Sequence, residues 1–265
     1  MKKNLKVLIM GLFACSAVSF AAVSCLQYFI NKGQSYEYID MDTLELEQKN
    51  PPEKGDMTAK IKTSMGDIDV VLYPEYAPEA VENFKKLAES GYYDNTYVYE
   101  LEPGVALKAG TPFKNGDLDD NKPDGKMEYE RETHQNLWSF RGALCSLTTS
   151  EKGGFFDRLN GNTTTYSGSR FTILNSIEFT EEIKAELYAS NEDTTIADAY
   201  IELGGVPALA QKITVFGQTY DGFDVIDKIT SAATLTDDDE AHIPVEDIMI
   251  ETIEIGTYGG EDVSK

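Results

Sequence analysis

Few side chains in this 265-residue chain are spaced for covalent or metal chemistry. Oxygen ligands stand at Asp117, Asp119, Asn121 and Glu128, offsets 1, 3, 5 and 12 of a calcium-loop template, a spacing that can encircle a hard cation. Lys122 takes the place where such a loop needs glycine to turn sharply, so the stretch reads as a solvated acidic loop. Asp237, Asp238, Asp239 and Glu240 form a second charge run of the same kind. His134 and His242 are the only histidines, isolated and without paired cysteines, which gives a zinc site or a Ser-His-Asp triad little support. Beyond residue 25 the one cysteine is Cys145, in an apolar, strand-like run with nothing near to lower its pKa; it reads as a small buried hydrophobe. No metal or other cofactor is expected. What remains is binding, orientation and placed charge. The stretch 91–112, GYYDNTYVYELEPGVALKAGTP, carries the charges Glu100 and Lys108 among the turn-shaping residues Gly91, Pro103, Gly104, Gly110 and Pro112.

Regular elements must position those charges. Two period-two runs, TAKIKTS and DIDVVLY, meet at Met65-Gly66, which predicts a hairpin with Ala59, Ile61, Ile68, Val70 and Leu72 facing the interior. Pro78 to Ser90 has proline in its first turn, Val81, Phe84, Leu87 and Ala88 at helical spacing, and Gly91 as its stop, so it predicts an amphipathic helix packed on a sheet. A second helix is expected around Phe223–Ile229, with Val225, Ile226 and Ile229 buried, and a last strand near Asp247–Ile255. Phe113–Glu132 and Asn175–Glu202 read as insertions, the second with helical character at Glu181–Tyr188.

Val7–Ile30 is a run of 24 positions without charge, preceded by Lys2, Lys3 and Lys6, long enough to cross a hydrocarbon layer of about 30 Å as a helix. It fits an uncleaved anchor, a lipoprotein acylated at Cys25, or a cleaved signal; all three export the remainder of the chain. Residues 33–56 are polar, acidic and punctuated by Asn50-Pro51-Pro52, and read as an extended linker. The organisation expected is therefore anchor or signal over 1–32, linker over 33–56, one domain over 57–258 and a tail over 259–265. A net charge of −23 disfavours nucleic acid and anionic lipid surfaces as partners.

Residues 91–112 resemble the cyclophilin-type peptidyl-prolyl cis-trans isomerases, agreeing with that family's pattern without a gap at Gly91, Tyr92, Tyr93, Asp94, Pro103, Gly104, Gly110 and Pro112. Similar agreement, in family order, falls on APEAVENFKKLAESGYYD (77–94), RGALC (141–145), SGSRF (167–171), GGVPAL (204–209) and TVFGQTYDGFDVIDKI (214–229). The resemblance implies a mainly β fold, a closed eight-stranded antiparallel barrel capped by two helices, here with inserted loops. It also implies isomerisation of prolyl bonds, on exported polypeptide clients given the leader. In that family an arginine donates toward the prolyl nitrogen, glutamines fix the peptide, and an apolar pocket grips the proline ring. Carried over, the catalytic arginine falls on Glu100 and the glutamine beside it on Lys108. The pocket phenylalanine and methionine fall on Val105 and Ala106, a second glutamine on Arg170, the framework phenylalanine on Phe171 and another pocket phenylalanine on Thr172. Two further pocket positions, a leucine and a histidine, fall on Leu209 and Ile213. The expectation is an isomerase with weak or lost turnover, in which Glu100 pairs with Lys108 or Arg170. The alternative is a non-catalytic peptide-binding module of the cell envelope.

Overall fold

Alternation of apolar and polar residues over 57–72 folds into the hairpin it predicts: in the computed structural model β1 (Met57–Thr63) pairs antiparallel with β2 (Gly66–Leu72), and Thr63 lies opposite Gly66. The structure describes residues 39–117, 126–127, 131–151, 164–190, 193–236 and 242–259. Gly66 turns the chain at φ +136°, and a Cβ there would stand 2.7 Å from the Val225 side chain, so both backbone and packing require glycine. The five expected interior residues, Ala59, Ile61, Ile68, Val70 and Leu72, all lie in the main core.

The remaining long strands are β3 (Thr96–Glu102), β4 (Ala106–Thr111), β6 (Ala143–Glu151), β7 (Thr164–Leu174), β8 (Thr214–Asp221) and β11 (Ile248–Thr257). Their pairing order is β4-β3-β11-β1-β2-β8-β6-β7, and a β4–β7 ladder joins the two ends, so eight strands close into an antiparallel barrel without a free edge. A short β5 (Lys126–Met127) extends from β7, and β9 (Thr234–Thr236) with β10 (His242–Pro244) forms a separate ribbon.

Helix α1 (Pro78–Glu89) buries Ala80, Val81, Phe84, Leu87 and Ala88 against the barrel. Phe84 is the hub of an aromatic cluster, its ring centroid 5.3 Å from Tyr93, 5.3 Å from Phe216 and 5.6 Å from Phe171 in an edge-to-face arrangement. Ala77 has no side chain to cap the helix. The Glu132 carboxylate does so from the end of an inserted loop, accepting from Glu79 N at 3.0 Å and Ala80 N at 2.8 Å.

Among the described residues there are four α-helices, where the resemblance implied two. The 175–202 insertion supplies both extra ones, α2 (Glu181–Ser190) and α3 (Thr195–Leu203), ahead of the expected α4 (Phe223–Thr230). Only the first half of that insertion had shown helical periodicity; α3 is short and largely apolar, and it folds by packing Ile196, Ala199 and Tyr200 on Trp138 and Phe140.

The expected linker needs a larger correction. Residues 39–56 lie against the domain: Ile39, Leu44 and Leu46 pack on the Trp138–Phe140–Tyr200 cluster, and Gln48 is buried. The Gln48 amide donates to Trp138 O at 2.8 Å and Gln218 Oε1 at 2.7 Å, and its oxygen accepts from Trp138 N at 2.5 Å. The acidic composition hid this, because the apolar residues are few and the one inward polar residue is satisfied only across a sequence gap of about 90 residues.

Among the described residues no helix is long and apolar enough to cross a membrane. The expected span 7–30, the tail beyond 259, Asp119, Asn121 and Glu128 of the calcium template, and the 237–240 run all lie outside the described residues.

Candidate active site

On β3, β4 and β7 the residues in the barrel core are Val98, Leu101, Leu107, Ala109, Phe171 and Ile173. Period-two alternation therefore puts Glu100, Lys108 and Thr172 on the outside. Cross-strand register aligns them in one row, Glu100 opposite Lys108 and Lys108 opposite Thr172. A register shift between Val98 and Glu100 sets the β3 end of this row.

The charges in the row pair as the sequence suggested. Lys108 Nζ donates to Glu100 Oε1 and, at 3.3 Å, to Glu102 Oε1, so one ammonium is shared by two carboxylates. The Glu100 and Lys108 side chains are only 22% and 24% exposed, which strengthens their attraction relative to an open surface pair. Glu102 was not singled out in the sequence, although it stands two residues from Glu100 and must share its face. Thr172 turns its hydroxyl back to the sheet, donating to Leu107 O at 2.8 Å.

Arg170 does not reach across to Glu100. Its Nη1 donates to Gly116 O at 3.1 Å, and it lies beside the Tyr99 phenol, which burial pushes up to about 12 against the opposing pull of the Arg170 charge. Arg141 is committed as well: Nε donates to Asn175 Oδ1 at 2.9 Å, Nη2 to Asp227 Oδ1 at 2.7 Å, and the guanidinium lies 5.1 Å over the Phe223 ring. Arg131 donates to Lys212 O at 2.8 Å. Arg158 lies outside the described residues.

Val105, Ala106, Leu209 and Ile213, far apart in the chain, come together in one apolar cluster outside the barrel, with Leu137, Leu174, Val206 and Val215. Leu209 is brought there by a 3-10 turn over Pro207–Leu209. The β3–β4 turn that carries Val105 is pinned from two sides, by Asn175 N donating to Val105 O at 2.6 Å and by Gly104 N donating to Thr230 O at 2.8 Å. Asn175 itself donates to Asp227 and Thr230, each at 3.0 Å, and so joins the turn, β7 and α4 in one polar network. Nothing in the sequence pattern marked Asn175 for that role. Phe171 stands apart from the other site positions: it is 1% exposed, inside the barrel against Phe84, and holds the sheet from behind.

Cys145 is wholly buried and burial pushes its thiol far above the ordinary range, which keeps it out of nucleophilic chemistry. His134 stacks on Tyr76 at 4.5 Å and accepts from Asn136 N at 3.2 Å, a structural role.

The model of the family described as cyclophilin type peptidyl-prolyl cis-trans isomerase/CLD matches residues 58–255. A Staphylococcus aureus protein named for peptidyl-prolyl cis-trans isomerase activity is 30% identical over 203 residues, covering 77% of this chain and 93% of that protein. A Streptococcus pyogenes protein named for joint phosphatase and peptidyl-prolyl cis-trans isomerase activity is 35% identical over 214 residues, and the match covers 80% of this chain but only 40% of that longer protein. Among solved structures, the cyclophilin type peptidyl-prolyl cis-trans isomerase of Cryptosporidium parvum matches with a TM-score of 0.52 and 22% identity, over 77% of this chain and 98% of its own, a likeness of fold. With its closed eight-stranded barrel and a family match running through almost the whole domain, the chain belongs to the cyclophilin-type peptidyl-prolyl cis-trans isomerase family.

Proposed function

We propose that the domain acts on prolyl bonds of exported polypeptides with turnover far below that of family members whose site keeps the arginine. Rotation about a prolyl amide gives up resonance; an ordinary peptide barrier is about 18–20 kcal/mol, and at the twisted state the nitrogen lone pair localises. A donor aimed at that lone pair lowers the barrier without covalent chemistry. The observation that carries the reading is the Lys108 ammonium, held by Glu100 and Glu102 where a donor should face substrate. Losing one such donor costs a factor of about 10² to 10³ in rate, and an anion in its place adds repulsion.

Val105, Ala106, Leu209 and Ile213 retain an apolar surface, but without large rings it offers a shallow seat for proline. That surface favours a second reading, a module that holds an envelope protein without turning it over. Isomerisation of a proline peptide, followed with a conformation-selective protease, separates the two. Slow, measurable turnover with weak and general peptide binding supports the enzyme, and selective capture without turnover supports the module. A rate within tenfold of an ordinary cyclophilin overturns the diagnosis of a disabled site.

The leader, Val7–Ile30 behind Lys2, Lys3 and Lys6, supports placing the domain on the outer face of the cell membrane, as an anchored or lipidated protein. Protease added to intact cells should degrade the domain; protection until lysis would place it inside.

A further inference from the structure

The docked segment 39–56 creates a cavity that the isomerase site does not use. It has a volume of ≈ 220 Å³ and is lined by Glu47, Glu53 and Asp56, by Pro51 and Pro52, and by Tyr73 from the end of β2. The Tyr73 hydroxyl is buried without a hydrogen-bond partner among the described residues, in a side chain only 8% exposed. A buried phenol is normally satisfied, so an orphaned one beside a cavity points to a guest that is not part of the fold. Burial above all, and then the charges of Glu47 and Asp56, hold this phenol protonated. A neutral phenol accepts on its oxygen and also keeps its O–H as a donor.

The lining selects the guest. Carboxylates of one sign favour a cation. Among the described residues no three acidic or histidine side chains converge as a metal set, which favours a spread, hydrogen-bonding cation over a bare ion. The prolines, Val71 and the Tyr73 ring offer apolar surface to a stem behind the charge. The volume falls below the roughly 300–1,000 Å³ of pockets that enclose drug-sized ligands, and suits a single long side chain.

We propose that this cavity is a second site, separate from the prolyl site, that takes the guanidinium or ammonium of an arginine or lysine side chain in a polypeptide. The charge chemistry stands on the cavity alone; the polypeptide source rests on the polypeptide reading above. The carboxylates of Glu47 and Glu53 hold the charge, and Tyr73 accepts one of its hydrogen bonds.

The test is fluorescence anisotropy of the full chain with a labelled, proline-free peptide bearing one arginine, against the same peptide with citrulline, its uncharged isostere. The arginine peptide should bind at least tenfold more tightly. The double variant Glu47→Gln/Glu53→Gln should lose that tenfold preference, and Tyr73→Phe should reduce it severalfold. Both sites are distinguishable, because the proline-free peptide does not ask for the prolyl site and Glu100→Gln should leave its affinity unchanged. Equal affinity for arginine and citrulline peptides, or an unchanged preference in a folded double variant, overturns the site. Free argininamide binding as tightly as the peptide overturns the polypeptide source.

Discussion

Exchanging Glu100 for arginine together with Lys108 for glutamine should restore part of the catalytic machinery. The pair must change together, because an arginine at position 100 alone would stand opposite Lys108 and replace an attraction with a repulsion. The exchange removes an ion pair whose partners are 22% and 24% exposed, a loss of at most about 1 kcal/mol, so the barrel should remain folded. Against that small cost stands a regained transition-state donor worth about 2.7–4 kcal/mol when well aimed. Full recovery is not expected. Val105, Ala106 and Thr172 still leave the proline ring poorly gripped, so near-attack geometry is populated less often. We expect kcat to rise about tenfold to a hundredfold with little change in KM, since a donor that acts on the twisted amide stabilises the transition state more than the ground state. Glu100→Gln should give a smaller gain, because Lys108 is released from Glu100 but keeps Glu102 at 3.3 Å. The assay is protease-coupled isomerisation of a proline peptide over a range of substrate concentrations, with thermal melting as the control for folding. A double variant that melts like the parent and turns over no faster would falsify the assignment of Glu100 as the disabling residue.

The shared ammonium makes the two ends of the ion pair unequal. Lys108→Met should cost about 1–2 kcal/mol, because it leaves Glu100 and Glu102 facing each other without a cation, whereas Glu100→Gln should cost less than about 1 kcal/mol; equal losses in denaturant titrations would contradict the arrangement. Glu132→Ala removes the side-chain cap that the described residues supply at the start of α1 and should destabilise by about 1–2 kcal/mol, while Glu132→Gln, which keeps an acceptor, should recover part of that loss. Tyr99 is held at about 12 and Tyr73 and Tyr200 are raised as well, in each case mainly by burial. A phenol whose folded pKa exceeds its unfolded value of about 10 stabilises the fold below that value, and the contribution drains away as pH rises through the folded one. The melting temperature should thus fall between about pH 10 and 12, together with the appearance of tyrosinate absorbance; early tyrosinate without a loss of stability would count against these burials.

The barrel was legible because its elements repeat local signals. The 57–72 hairpin and the 78–90 helix each place their apolar residues at the period of their own geometry, and the same residues are the ones buried. The row of Glu100, Lys108 and Thr172 followed from resemblance at single positions, and the Glu100–Lys108 pair from the types of residue found there. Features held by distant partners were not legible. Gln48 and Glu132 look like ordinary surface residues in a chain of net charge −23, and only the tertiary fold sets them against Trp138 and the start of α1. Asn175 escaped for the same reason, since its partners Arg141, Asp227 and Thr230 are scattered along the chain. The extra helix α3 does carry a buried face, with Ile196, Ala199 and Tyr200 inward and Asp198 and Glu202 exposed, but its nine residues hold too few turns for the period to stand out in the sequence.

With Gln48 fastened to Trp138, the folded body reaches back at least to residue 39 rather than beginning near residue 57. On the proposal that Val7–Ile30 sits in a bilayer, at most eight residues, 31–38, separate that span from the folded body, and at about 3.3–3.6 Å per residue eight residues reach no further than roughly 30 Å. The domain would then work within about its own width of the lipid headgroups. On that proposal, segments of a client emerging from the membrane would come within its range before those that have travelled farther out.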